Sequence, residues 1–126
     1  MAIPDVSEAE LLILQLLWDA DRLTVRQITK KLYPRQTDSD LATVQKLIQR
    51  LEQKRLVGRD RTHFVHFVFP RISRNEFATR RLAETAERLT RGSLQPLIAH
   101  LVEAKRLSPD ELDEIRKLIN KHRRQK

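Results

Sequence analysis

The sequence predicts a mainly α-helical chain, with a winged helix-turn-helix over residues 1–70 and a three-helix region over residues 71–126. Three observations predict it. Apolar residues recur at helical spacing in most of the chain, and several of these runs open on a Ser or Thr followed three residues later by an acid or amide. The longest run, from Asp40, passes directly into two short β-like runs ending at Pro70. Beyond Pro70 the periodicity returns to helical and stays so.

Taken in order, Ser7-Glu8-Ala9-Glu10 forms a capping box before an apolar helix running to about Ala20. That helix is apolar nearly all round (Leu11, Leu12, Ile13, Leu14, Leu16, Leu17, Trp18), which places it between other elements or at an interface. Thr24-Val25-Arg26-Gln27 opens a short helix with Val25, Ile28 and Leu32 inward. A proline and turn formers in Tyr33–Ser39 separate it from the next helix, capped by Ser39 or Asp40. In that helix Leu41, Val44, Leu47, Ile48, Leu51 and Leu56 form one buried stripe. Two strand-like runs follow, separated by the polar residues Arg59 to His63, and Pro70 closes the second because it donates no ladder hydrogen bond.

Ser73-Arg74-Asn75-Glu76 starts a helix to about Arg91, and Gly92 is a left-handed stop. Ser93 begins a helix carrying Leu94, Leu97, Ile98, Leu101 and Val102. Ser108-Pro109-Asp110-Glu111 opens the last helix, with Leu112, Ile115, Leu118 and Ile119 on one stripe and a frayed, polar end at 121–126. About 55 residues lie near the lower limit for independent folding, and these helices are too apolar for a linker. Two chains pooling them would solve the burial problem. The region is therefore read as a homodimerisation domain, through Leu82, Leu97, Leu101, Leu112, Ile115 and Ile119. The alternative is that they cover the winged helix of their own chain.

Charge points to the partner. The chain has 25 Lys and Arg against 17 Asp and Glu, a net charge of +8, which suits a polyanion. On the face opposite the Leu41–Leu51 stripe stand Thr43, Gln45, Lys46, Gln49, Arg50 and Gln53, opposed only by Glu52. Such side chains hydrogen-bond to base edges or pair with phosphates. Gln45 suits bidentate pairing with adenine and Lys46 donation to guanine, while Thr43 offers a methyl or hydroxyl and Arg50 holds the backbone. Arg26, Lys30 and Lys31 on the short helix, with Arg59 and Arg61 in the wing, are phosphate candidates. The expected partner is double-stranded DNA.

With these residues in view, the chain resembles the BlaI/MecI/CopY family of bacterial repressors, over nearly its whole length. The resemblance rests on SEAELLILQLLWDADRLTVRQI, on ATVQKLIQRLEQKRLVGR with Thr43, Leu47, Arg50 and Leu51 in its Thr-x-x-x-Leu-x-x-Arg-Leu pattern, and on SPDELDEIRKLI. It implies a homodimer that silences a promoter by occupying an inverted-repeat operator, with Ala42, Thr43, Gln45 and Lys46 at the DNA-reading positions and Arg50 nearby. Arg55 stands where many members carry glycine, and Gln45 where many carry Lys or Arg. Penicillinase repressors are inactivated by cleavage in the penultimate helix, by a membrane sensor-protease. That site falls near His100-Leu101, without the usual Asn-Phe pair.

The same sequence argues against other classes. It has no cysteine, which removes thiolate metal sites, thiol catalysis and the cysteine route to copper sensing. Two glycines supply no phosphate-cradling loop, and the four histidines are scattered. His63 and His66, read on an extended strand, point to opposite faces. An enzyme, a metal site and a cofactor are therefore not expected. Neither is membrane insertion or a signal peptide, which places the protein in the cytoplasm. Two alternatives remain: a winged-helix protein-interaction module, and a repressor that senses a small molecule.

Overall fold

The computed structural model describes residues 3–124. Its elements run α1 (Glu8–Ala20), β1 (Leu23–Thr24), α2 (Val25–Leu32), α3 (Asp38–Gln53), β2 (Val57–Asp60), β3 (Phe67–Pro70), α4 (Arg74–Thr90), α5 (Gln95–Glu103) and α6 (Pro109–Arg124). The chain is mainly α, and its first part is a winged helix.

Two compact units divide the chain at Arg81 and Leu82. In the first, α1, α2 and α3 share one core with the sheet: Ile13, Leu14, Leu17, Ile28, Val44, Ile48, Leu51 and Val68 are completely buried. Of the expected α3 stripe, Val44, Leu47, Ile48 and Leu51 are buried, Leu41 is half-buried, and Leu56 lies beyond the end of the helix. The nearly all-apolar α1 lies inside this core, with Leu11, Leu16 and Trp18 packed against it and Leu12 left exposed. The first unit also takes in the start of α4. Phe77 is buried with its ring 5.6 Å from that of Trp18, whose Nε1 donates to the Ile72 carbonyl at 2.8 Å.

The sheet has three strands in the order β1-β3-β2, all antiparallel, with Leu23 opposite Val68 and Val57 opposite Pro70. The two-residue β1 leaves no periodic signal, and nothing in the sequence foretold it. The wing also differs from its expected layout. Arg59 and Asp60 belong to β2, so the tip is Arg61–His66, and Phe64 and Val65 lie in the loop rather than in a strand. His63 and His66 are thus loop residues, and the opposite-faces argument does not apply to them.

Helix starts follow side-chain chemistry. Reciprocal capping boxes close α1 (Ser7, Glu10) and α2 (Thr24, Gln27), as the sequence indicated. For α3 the cap is Thr37, not Ser39 or Asp40. Thr37 accepts from the Asp40 N–H at 3.0 Å, and the Asp40 carboxylate accepts from the Thr37 N–H at 3.1 Å. Asp40 is thus the last residue of a box whose Thr stands three positions earlier. Likewise α5 starts at Gln95, with Pro96 in its first turn and no side-chain cap, rather than at Ser93. The helix α6 continues to Arg124, so the expected fraying does not hold for residues 121–124, and residues 125 and 126 lie outside the described ones.

The end of α3 sets the direction of the wing. The Leu56 N–H bonds to the Leu51 carbonyl at 3.0 Å and the Arg55 N–H to that of Glu52 at 2.9 Å. This is a Schellman closure, which needs a left-handed residue at its turn, and Arg55 supplies it with φ of 61°. The turn forms without glycine, and Leu56 then enters the core at the start of β2.

The second unit, Leu82–Lys126, holds the rest of α4 with α5 and α6. Neither α5 nor α6 has a buried residue. Leu82, Leu94, Ile98, Leu101, Val102, Leu112, Ile115, Leu118 and Ile119 are exposed, some by about half, and Leu97 is partly so.

Candidate nucleic-acid interface

The candidate interface is the outer face of α3 and the elements beside it. Because Val44, Leu47, Ile48 and Leu51 turn inward, helical geometry leaves Ala42, Thr43, Gln45, Lys46, Gln49 and Arg50 exposed on the other side. Gln53 is exposed as well, so the face expected from the sequence is exposed throughout, and Ala42, named by the resemblance, lies beside it. Thr43 has its hydroxyl donated back to the Ser39 carbonyl at 3.0 Å, leaving its methyl and oxygen lone pairs for an outside contact. Asp38 and Asp40 stand in the first turn, where they favour the positive end of the helix dipole. Lys46 and Arg50 lie further along, so the cations stand beyond these acids.

On α2, Arg26, Lys30 and Lys31 are exposed, the last two in its final turn. The start of α2, the face of α3 and the wing meet around one open depression of about 360 Å³, bordered by Thr24, Arg26, Leu41, Gln45, Arg59 and Phe64. The structure thus brings Arg26, Gln45 and Arg59 together at one surface.

The two wing arginines are held more firmly than the sequence implied. Arg59 Nε donates to Glu52 Oε1 at 2.8 Å, and Arg61 Nη2 lies 3.8 Å from Glu52 Oε2. Glu52, on the last turn of α3, thereby ties β2 and the wing loop to the helix. The Arg59 side chain is only 16% exposed, so this pair is partly shielded, while Arg61 is 62% exposed and free to turn toward a phosphate. On the far side of the wing, Asp60 accepts from the Thr62 hydroxyl and N–H at 2.6 and 2.9 Å. These two bonds hold its carboxyl below the usual carboxylate range.

A second constellation anchors α3 from below. Glu10 is almost wholly buried, and its carboxylate accepts from Lys54 Nζ at 2.8 and 3.0 Å and from the Ser7 N–H at 3.0 Å. Lys54 also donates to the Asp5 carbonyl at 2.7 Å. Burial works to raise the Glu10 carboxyl, but the hydrogen bonds from Lys54 and Ser7 outweigh it and hold the group below its ordinary value. Sequence reasoning saw Glu10 only as a capping residue. An acid inside an otherwise apolar helix start, with one lysine just past the end of α3, was the available signal.

His100 and Leu101 sit on the exposed surface of α5. Among the described residues no group of three or more His, Asp or Glu could hold a metal ion, and no helix is long and apolar enough to cross a membrane.

Comparison with known proteins agrees with this geometry. The chain is 23% identical over 124 residues to the penicillinase repressor of Bacillus licheniformis, covering 98% of this chain and 96% of that one. It is 22% identical over 117 residues to the methicillin resistance regulatory protein MecI of Staphylococcus aureus, covering 93% and 94% respectively. Among solved structures, the solution structure of the DNA-binding domain of the repressor BlaI aligns with a TM-score of 0.50 and 26% identity, over 60% of this chain and 93% of that one. Residues 6–121 match the penicillinase repressor family, and the chain belongs to it, its first unit being the winged helix of a DNA-binding transcriptional repressor.

Proposed function

We propose that this chain is a homodimeric, sequence-specific repressor that occupies an inverted-repeat operator. One observation carries the proposal: a helix with one stripe wholly buried in the core presents Thr43, Gln45, Lys46, Gln49 and Arg50 on its free face, flanked by exposed Arg26, Lys30 and Arg61. An α-helix fits the major groove, where each base pair has its own pattern of donors and acceptors. Ala42 leaves room for close approach, Gln45 and Lys46 read bases, and Arg50, Arg26, Lys30, Arg59 and Arg61 fix register on phosphates. Arg59 does so after exchanging Glu52 for a phosphate.

Of residues 71–126, the part beyond the first unit serves as the dimerisation domain in this reading. The unburied apolar stripes of α5 and α6, with Leu82, Leu97, Leu101, Leu112, Ile115 and Ile119, favour a second copy, because short isolated helices are marginal in water without a packed face. Two copies related by a twofold axis read two half-sites related by dyad symmetry. Release follows from proteolysis near His100-Leu101, by a membrane sensor-protease, on an exposed helix whose cleavage would sever α6 from the rest.

The test is a binding titration with a duplex that the wild-type chain selects from a random-sequence library, and with unselected duplex, each at two salt concentrations. The reading predicts steep salt dependence on both and a large preference for the selected one. Equal affinity for the two duplexes would contradict it.

A further inference from the structure

Phe64, at the tip of the wing, is fully exposed at 103%, more than any other large apolar residue described. The loop that carries it is nevertheless held on both sides. Thr62 is bonded to Asp60 before it, and after it the Phe67 ring takes the edge of His63 at 6.0 Å and the Arg22 guanidinium at 4.3 Å. The wing thus displays an aromatic ring on an ordered support. Phe64 and Val65 border the same depression as Arg26 and Gln45, on the side where α3 shows its polar face.

The geometry points to Phe64 as an apolar wedge that the wing lays into the minor groove beside each half-site. This rests on the DNA-reading role of α3 proposed above. A helix seated in the major groove has a minor groove across the phosphate ridge, and apolar side chains entering it are a known means of adding contact. Charge agrees with this occupant. Arg26 borders the same depression and the exposed Arg61 stands in the loop itself, while the carboxylates beside them are engaged, Asp60 by Thr62 and by Arg22 at 3.5 Å and Glu52 by Arg59. Size disfavours a protein partner, because the exposed apolar patch at the tip comprises only Phe64 and Val65, while protein interfaces need several hundred square ångströms. Contact of this kind adds affinity without neutralising phosphate, so it leaves the salt slope unchanged.

The test uses the full-length chain and the duplex selected by the wild type, with Phe64→Ala, Phe64→Leu and Lys46→Ala. Phe64→Ala should weaken binding about 10- to 100-fold at every salt concentration, with a parallel slope, and Phe64→Leu should keep most of the affinity. A hydroxyl-radical footprint, which reads sugar hydrogens lining the minor groove, should lose its flanking protection in Phe64→Ala and keep the rest. If Phe64→Ala binds as tightly as wild type while Lys46→Ala is weakened, the wedge is refuted and the α3 reading survives. An altered salt slope, or a weakened variant with an unchanged footprint, also refutes the wedge. Selection that enriches no duplex would remove both proposals.

Discussion

Replacing Lys54 by methionine tests how α3 is anchored. The substitution keeps most of the aliphatic stem and removes the ammonium that gives Glu10 two hydrogen bonds and Asp5 a third. What remains is a carboxylate whose side chain is 4% exposed, left with the Ser7 N–H as its donor. Breaking a fully buried pair costs about 3–5 kcal/mol. Lys54 is 29% exposed, so water recovers part of that, and a loss of about 2–3 kcal/mol is expected. For a unit of this size that is a fall of roughly 10–20 °C in Tm. Glu10→Gln should cost less, about 1–2 kcal/mol, because it keeps the Ser7 bond and leaves behind a lysine that water can reach. The double variant should lose less than the sum, since the second change removes a group already stranded by the first.

The assay is urea unfolding followed by the fluorescence of Trp18, the chain's one tryptophan, which sits between Ile72 and Phe77 in the first unit. Acid separates the cause from general damage. In the wild type the folded Glu10 carboxyl lies below its unfolded value, so its contribution is present above the unfolded value and is lost as pH falls through the folded one. In Lys54→Met the Lys54 bonds, which lower the carboxyl most, and its charge are gone, so the folded group rises from its wild-type position and protonation costs the variant less than the wild type. The gap between variant and wild type should therefore narrow from pH 7 to pH 4. A Lys54→Met variant within about 0.5 kcal/mol of wild type, or a gap that widens on acidification, would refute the reasoning.

Three further outcomes are expected. Lys46→Ala should weaken binding to the selected duplex by roughly 1–3 kcal/mol and much less to random duplex, measured by fluorescence anisotropy, and equal losses would exclude base reading. Arg55→Gly should raise the urea midpoint, by up to about 1 kcal/mol in stability, because φ of 61° is strained for arginine and free for glycine; a clear loss would show that the Arg55 side chain makes a contact that the turn needs. Leu101→Asp and Ile115→Asp should sediment as monomers and lose cooperative binding, and variants that stay dimeric would place those stripes outside the dimer contact.

Legibility tracked the range of the interactions involved. The α1 and α2 starts were readable because a capping box is closed within four residues, and the α3 stripe because a core contact repeats every turn. At α3 the same local signal, Thr37 followed three residues later by Asp40, stood beside the expected caps Ser39 and Asp40, and the folded chain shows that Thr37 makes the reciprocal bonds. The exposed face of α3 followed from the buried one, so Thr43, Gln45, Lys46 and Arg50 were found together. What escaped depends on distant partners. Strand β1 exists because β3 lies beside it, over forty residues later in the chain. Arg59 is tied by Glu52 across the turn at Arg55, and Glu10 by a lysine forty-four residues away. Phe64 read as part of a strand, because an aromatic among β-formers says nothing about where the hairpin turns.

The most direct test of the central claim is a footprint on the DNA upstream of the protein's own gene, titrated at two salt concentrations. The account predicts two protected half-sites, related by dyad symmetry and about one helical turn apart, both surviving the higher salt. Diffuse coverage that vanishes with salt, or a single protected half-site at saturation, would contradict a sequence-reading dimer.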